Sequence, residues 1–507
     1  MKILPVEKIR EADAYTILHE PIADIDLMER AAMACFYWLI KNVSHDRQVL
    51  VFCGTGNNGG DGLAIARMMA QKGYRTRVYI TGPAGKLSPG ARINLERLQQ
   101  VSHVTCSFIK EKSELPAIDP ASDILIDALF GSGLSKEIKG FPAAVIGHIN
   151  SSKAVTIAID VPSGLYCDLS VKSLRNPAIV RADHTLTFAP PKLCFFFPEN
   201  NPYAGQWHLL DIGILEEFIE QASTKNFYTD REEVRRILKP RNKFAHKGHF
   251  GHALLFCGSK GKMGAAVLAA RGCIRSGAGL TSLHVPQSGN TILQTAVPGA
   301  MLVLDPEADI LTSVPDLSSY SAIGAGPGIG QDMQTQKMIK LLIQNAAGPL
   351  VMDADALNIL GENKTWIGFV PKGSIFTPHP REFERIAGKS SDDFDRNHRQ
   401  REFSVKYGVY VVLKGAFTAI STPEGRCWFN STGNQGMATG GRGDVLTGMI
   451  TGLLAQGYTP FESCLLGAYL HGLAGDLAAE SLGYEALMAD DIIDNTGKAF
   501  RSLYGEL

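Results

Sequence analysis

The stretch Gln48-Val49-Leu50-Val51-Phe52-Cys53-Gly54-Thr55-Gly56-Asn57-Asn58-Gly59-Gly60-Asp61-Gly62 decides the fold of the first half of the chain. It opens as a short apolar strand, passes through a glycine-rich loop, and leads into Leu63–Lys72, which reads as a helix. Further strand-like runs lie at Arg77–Ile80, Asp123–Leu129, Ala154–Ile159 and His184–Phe188, with helical patterns between several of them. Strand and helix in alternation imply a mostly parallel sheet covered on both faces. A charged helical stretch, Ile214–Asn226, interrupts the pattern, which then restarts. Gly251–Cys257 reads as a strand, Gly258–Gly264 as a loop and Ala265–Ser276 as a small-residue helix. Leu280–Val285, Ala322–Gly326, Pro349–Asp353 and Val409–Lys414 are further strands, and Asp444–Leu482 is mostly helical. The fold class is therefore α/β in two domains, residues 1–222 and 228–507, with the boundary near 222–230.

Composition narrows the function classes. At 507 residues, 45% apolar and 20% charged, the chain can build two or three domains with separate cores. Its 50 basic and 51 acidic residues leave a net charge of −1, which excludes a general pull onto nucleic acid or anionic lipid. The nine cysteines are odd in number and lack a Cys-x-x-Cys pair, fitting reduced thiols in a core. Glu7, Lys8, Arg10, Glu11 and Asp13 interrupt any apolar leader, and the run Ala31–Ile40 is too short to span a bilayer. A soluble, cytoplasmic protein with no membrane or nucleic-acid partner is expected.

Chemistry is concentrated in loops beside strand ends. Asn434-Gln435-Gly436-Met437-Ala438-Thr439-Gly440-Gly441-Arg442-Gly443-Asp444 leaves backbone N–H groups bare before the helical Val445–Ile450. Bare amides at a helix N-terminus attract anions. Asp444 would repel a phosphate and fits better as a base acting on a hydroxyl. In the first half, Gly54–Gly62 is joined by Asp127-Ala128-Leu129-Phe130-Gly131-Ser132-Gly133-Leu134 and Asp160-Val161-Pro162-Ser163-Gly164-Leu165. Loops following strands converge on one crevice in an open α/β sheet. Amide carbonyls and a carboxylate there could hold a monovalent cation or a polar ligand; a tight turn, and a turn carboxylate at Asp160, are the plainer readings.

In the second half, His246, His249 and His252 are too few and too glycine-broken for a closed zinc site. Gly324–Gly328 is another loop after a strand. Asp353 and Asp355 sit where they could contact substrate or magnesium, or simply favour a helix dipole. Thr377-Pro378-His379-Pro380-Arg381-Glu382-Phe383 is a rigid turn into a helix, and Lys414 can neutralise phosphate charge.

The four ordered N-terminal motifs, including Thr187-Phe188-Ala189-Pro190-Pro191-Lys192, resemble the epimerase domain of the bifunctional NAD(P)H-hydrate repair enzymes (the YjeF family) over nearly all of residues 1–215. The later motifs are similar to the dehydratase domain of the same family over about residues 230–500. The resemblance implies a Rossmann-like three-layer αβα sandwich followed by a ribokinase-like α/β domain. It implies that Asn57, Asn58, Gly59, Gly60, Asp61, Gly131, Ser132, Gly133, Leu134, Ser135, Lys136, Glu137 and Asp160 contact the hydrated nucleotide. It gives Asn58, Asp127 and Ser163 a potassium ion, and general acid/base work at Asp160 follows from the chemistry.

In the dehydratase half, Gly328, His379, Pro380, Arg381, Glu382, Phe383, Glu384, Arg385 and Asp444 would contact the hydrated nucleotide, with Ala265 or Ala266 nearby. Lys414, Gly415, Ala416, Phe417, Thr418, Asn434, Gln435, Gly436, Met437, Ala438, Thr439, Gly440, Gly441, Arg442 and Gly443 would bind ADP or ATP with Mg2+. The implied catalytic residues are Asp160 and Asp444. The implied reactions are epimerisation of the R and S hydrates of NADH or NADPH, and dehydration of the S form by phosphorylating its hydroxyl. A homo-oligomer is expected. The family pattern has Thr or a similar small residue where this chain has Arg442, whose guanidinium could touch phosphate or point into solvent. The alternatives are a ribokinase-superfamily kinase for a small alcohol and an N-terminal binding module without activity.

Overall fold

Gln48–Cys53 lies inside a seven-stranded parallel sheet, and the strand order reverses beside it. The structure, a computed structural model, describes residues 1–175 and 177–505. It divides into two compact units, one of Lys2–Thr224 with Asp392–Phe394, the other of Met1, Lys225–Ser391 and the chain from Asp395 onward.

In the first unit the strands run in the order Thr105–Ile109, Arg75–Thr81, Gln48–Cys53, Asp123–Ala128, Val155–Ile159, His184–Phe188, Gln206–Leu210. Alternate side chains serve opposite faces, as a pleated strand requires. Val49, Val51 and Cys53 pack in one core with the helices Asp24–Asn42, Asn57–Gln71 and Pro89–Gln99. Leu50 and Phe52 pack with Val145, Ile146 and Ile149 of the helix Phe141–Ser152. The result is the expected sandwich of helices on both faces of a sheet. The sequence reading passed over Thr105–Ile109 and Gln206–Leu210, both edge strands whose half-buried residues give a weak apolar signal.

The glycine-rich stretch is not a loop throughout. The helix begins at Asn57, so Asn57, Asn58, Gly59, Gly60 and Asp61 form its first turns. The glycines answer to packing: a Cβ on Gly59 would stand 2.0 Å from Gly54 O, and one on Gly62 2.5 Å from Ala128 Cβ. This corrects the reading of the segment as a bare turn.

The second unit carries a mixed sheet in the order Asn226–Thr229, Cys427–Asn430, Ala419–Ser421, Tyr410–Leu413, Ile375–Phe376, Leu350–Met352, Ala322–Ala325, His252–Phe256, Leu280–Val285, Met301–Leu304. Ala419–Ser421 is antiparallel to both neighbours, and the other pairs are parallel. Its order reverses between His252–Phe256 and Ala322–Ala325. The end of the stretch read as helix contributes Asn226–Thr229, a strand of this sheet. Very short or exposed strands such as Ile375–Phe376 and Met301–Leu304 left no legible period.

The helices Met263–Arg275 and Arg442–Ala455 cross at backbone contact. A Cβ on Gly448 would lie 1.9 Å from Ala269 O, and one on Gly272 2.5 Å from Val445 O. Among the described residues no helix is long and apolar enough to cross a membrane.

Candidate active sites

Ligands of open α/β sheets bind beyond the carboxyl ends of strands where the order reverses. In the first unit that point lies between the segments following Cys53 and Ala128. Asp127 is fully buried at the end of its strand. Its Oδ1 accepts from Ser163 Oγ at 2.6 Å and Leu129 N–H at 3.2 Å, and its Oδ2 accepts from Ser163 N–H at 2.8 Å. Ser163 Oγ also receives the Phe130 N–H at 2.8 Å and lies 3.1 Å from Phe130 O. Burial raises Asp127 to about 6 against the pull of these hydrogen bonds.

Asn58, on the first turn of the neighbouring helix, is buried with neither side-chain polar atom hydrogen-bonded. A Cβ on Gly131 would touch Asp160 Oδ2 at 3.0 Å and Asn58 Cγ at 3.3 Å, so both side chains line one space under the Gly131–Glu137 loop. An orphaned buried amide is costly and marks a place for a ligand. Asn58, Asp127 and Ser163 thus fit a cation that takes oxygen donors.

Asp160 is held in a left-handed conformation with φ of 65°, rare for a residue with a side chain. It does not cap its own turn. Its Oδ2 accepts from Ser132 N–H at 2.9 Å, and its Oδ1 lies 2.7 Å from Lys192 Nζ. Burial would raise this carboxyl, but Lys192 and the Ser132 amide outweigh it and hold Asp160 below its ordinary value. Asp61 goes the other way, pushed well up by burial and by the charges of Asp160 and Asp13. Gly133, Ser135 and Lys136 are exposed on the loop, and Glu137 pairs with Lys139 at 2.9 Å.

The second site lies at the sheet end where the strands Leu350–Met352, Ile375–Phe376 and Tyr410–Leu413 finish. Asp353 takes Lys414 Nζ on Oδ1 at 2.8 Å and Thr447 Oγ on Oδ2 at 2.6 Å. Asp353 is therefore committed to the site's lysine, and its side chain caps no helix. Asp355 accepts from Gly330 N–H at 2.9 Å and pairs with Lys262 at 3.2 Å. Asp444 stands in the first turn of the helix Arg442–Ala455. Burial and the nearby Asp353 charge raise it to about 7, against Lys414, with Asp355 and Glu382 adding to the rise.

The glycine-rich segment divides by use. Ala438, Thr439 and Gly440 are exposed, with nothing near Gly440 where a Cβ would go. Asn434 pins the segment instead: Nδ2 donates to Asp476 Oδ1 at 2.8 Å, and Oδ1 accepts from Gly436 N–H at 3.0 Å. Gly436 is buried, 2.7 Å from Tyr484 O at its Cβ position. Arg442 does not point into solvent. Its guanidinium is buried, donates through Nη2 to Leu487 O, and leaves Nε and Nη1 without a partner.

His379 caps the helix Pro380–Ala387, its Nδ1 accepting from Arg381 N–H at 3.1 Å and its Nε2 lying 3.3 Å from Glu382 Oε1. Arg381 is exposed, while Arg385 Nη1 donates to Asn358 Oδ1. Two expected contacts are corrected by burial. Phe383 is fully buried against the Phe403 ring, and Ala266 is fully buried in the core below, so neither offers surface to a ligand. Ala265 is the alanine that meets the loop, its Cβ 3.0 Å from the Cβ position of Gly328. His246 and His249 bond to each other's turn and His252 to Ser282, a pattern of local hydrogen bonds.

Residues 253–498 match the family model described as NAD(P)H-hydrate dehydratase, and residues 24–194 match the one described as YjeF-related protein N-terminus. The bifunctional NAD(P)H-hydrate repair enzyme Nnr of Moorella thermoacetica is 34% identical, across 100% of this chain and 98% of its own length. The chain belongs to the bifunctional NAD(P)H-hydrate repair enzyme family. The Escherichia coli member is 32% identical over 92% of this chain and 88% of its own. The ADP/ATP-dependent NAD(P)H-hydrate dehydratase from Bacillus subtilis, co-crystallised with ATP/Mg2+, is similar at 31% identity, covering 56% of this chain and 100% of that one, with a TM-score of 0.48.

For a repair enzyme of this family, the sequence reading left several polar residues without a role. Lys192 closes the quoted Thr187–Lys192 motif, yet only the folded sheet brings it to Asp160. Thr447 and Asp476 sit on helices and gave no signal until their partners were in place. Asp13 entered only as one charge interrupting a leader, but its carboxyl feels the charges of Asp160 and Lys192 in the first unit.

Proposed function

We propose that the chain repairs hydrated NADH and NADPH in two steps, the first unit interconverting the R and S hydrates and the second dehydrating the S form with ADP or ATP. The observation that carries the dehydratase reading is Asp444. A half-buried carboxyl, raised to about 7, stands at a helix start behind bare glycine-loop amides, with Lys414 close by. Asp444 accepts the proton of the C6 hydroxyl as that oxygen attacks the terminal phosphoryl group, and the loop amides steady the developing charge. Phosphate then leaves, which hydroxide could not do, as the ring nitrogen's lone pair forms an iminium, and loss of a proton from C5 restores the dihydronicotinamide.

Mg2+ fits this site on charge. Asp353, Asp444 and Glu382 outnumber Lys414, and a divalent ion arriving on the nucleotide redresses the balance. Asp353 and Glu382 would hold it, and it would screen the phosphates. In the first site, Asn58, Asp127 and Ser163 would hold K+, which supplies a fixed positive charge near the substrate. Asp160, kept ionised by Lys192, acts as electrostatic partner of the iminium left when the C6 hydroxyl departs.

The kinase alternative accounts for Asp444 and the glycine loop but leaves the whole first site without a purpose. Incubation with the pure S hydrate and ADP or ATP tests the dehydratase half. Reduced-nicotinamide absorbance returns with one phosphate released per molecule repaired; a stable phosphorylated alcohol as end product would make the chain a kinase.

A further inference from the structure

The first site contains more carboxyl groups than the reading above uses. Asp13 sits on the helix Val6–His19, where its carboxyl feels the charges of Asp160, Lys192 and Asp24 and in turn acts on Asp61. The helix is seated on the substrate loop: Arg10 Nη2 donates to Gly133 O at 3.1 Å, in the same loop whose Ser132 N–H holds Asp160. Asp13 is three residues from Arg10 and so lies on the same helix face. The unpartnered, buried Asn58 amide beside Asp160 marks the same space as one that receives a ligand.

We propose that Asp13 is the proton donor of the epimerase reaction, which rests on the epimerase reading of this site. Charge counting leads there. An ammonium has three protons to give, and Lys192 gives its own to Asp160 at 2.7 Å, Thr187 Oγ1 at 3.0 Å and Phe188 O at 2.9 Å. None is left for Asp13 or Asp61. With Asp160 ionised, its charge and burial disfavour ionisation of both Asp13 and Asp61, so protons stay on these two carboxyls. Asp61 is driven well above the ordinary carboxylate range by burial and holds its proton too firmly. Asp13 is raised to about 6, by burial first and by Asp160 second, where an acid can both give and recover a proton near neutrality.

The step balances. The Asp13 carboxyl proton passes to the C6 hydroxyl, the C6–O bond breaks, and the ring nitrogen's lone pair forms the iminium as water leaves. Water then adds at C6 from the other face, the electron pair returns to nitrogen, and the surplus proton goes back to Asp13. No oxidant or reductant is needed.

The full chain is given the pure R hydrate without nucleotide, and R and S forms are separated over time. Wild-type turnover falls as pH rises through about 6. Asp13→Asn lowers epimerisation by about 10²–10⁴-fold, loses that fall with pH, and dehydrates the S hydrate at the wild-type rate. Asp13→Glu keeps a titrating limb with a shifted midpoint and serves if the amide variant does not fold. Epimerisation by Asp13→Asn at the wild-type rate, or a limb identical to wild type in either variant, overturns the proposal. A wild-type chain that leaves the R hydrate unchanged instead contradicts the epimerase reading itself.

Discussion

Lys192 Nζ sits 2.7 Å from Asp160 Oδ1, and both side chains are buried. Removing one member of a buried pair strands the other's charge, at a cost of about 3–5 kcal/mol. Lys192→Met is therefore expected to lower the unfolding midpoint of the first unit and abolish epimerisation. Lys192→Met combined with Asp160→Asn recovers most of the stability but none of the activity, as chemical denaturation and an R-to-S assay would read.

The same pair sets an acid limit. Because Asp160 is held below its unfolded value of 3.8, its contribution is present above that pH and is lost as pH falls through the folded value. The first unit of wild type weakens below about pH 4 more than that of Asp160→Asn does.

Asp444 has the opposite sign. Its pKa rises from 3.8 unfolded to about 7 folded, so the folded chain holds the extra proton between those values and loses stability as pH climbs through them. At about 1.4 kcal/mol per pH unit, that is on the order of 4 kcal/mol at most. Asp444→Asn should match wild type near pH 4, exceed it in thermal stability at neutral pH, and lose about 10²–10⁴-fold in dehydration. In the free wild-type enzyme, kcat/KM for dehydration should rise through about pH 7, and a flat profile would remove Asp444 as base.

Gly448 touches no ligand, yet its Cβ position lies 1.9 Å from Ala269 O. Gly448→Ala must push apart the helices that carry Asp444 and Ala265. Overpacking of this kind costs about 1–3 kcal/mol or more, and dehydration should fall while epimerisation continues. Separate assays of the two activities on one preparation check this.

Arg442 donates to Leu487 O while two of its nitrogens lie buried and unpartnered, so its net worth to stability is small. Arg442→Thr should change the KM for ADP or ATP less than threefold, since the guanidinium is buried and bonded to Leu487 O. A tenfold rise would mean that it reaches the phosphates.

Much of this architecture is readable in the chain itself. Gln48–Cys53 is an apolar run because it is buried on both faces of a parallel sheet, while His184–Phe188 and Leu280–Val285 show themselves by β-branched and aromatic residues among polar ones. What is not readable is what a residue meets in three dimensions. Gly59 and Gly62 resemble loop glycines because the demand for a missing Cβ looks the same in a turn as in a helix pressed against Gly54 and Ala128. Phe383 stands among polar neighbours and Ala266 beside an equally plausible Ala265, yet both turn inward, which helix phase decides. The lowering of Asp160 depends on a lysine far along the chain, and the raising of Asp61 on burial and on carboxylates from other elements.

The central claim is that one chain holds both activities, and a mixed pool of R and S hydrates tests it most directly. Wild-type protein supplied with ADP or ATP should return reduced-nicotinamide absorbance for the entire pool. Asp160→Asn should show a fast phase that ends when the S form is exhausted, and Asp444→Asn no recovery at all. A wild-type trace that stops at the S fraction, or an Asp160→Asn trace that runs to completion at the wild-type rate, would contradict the account.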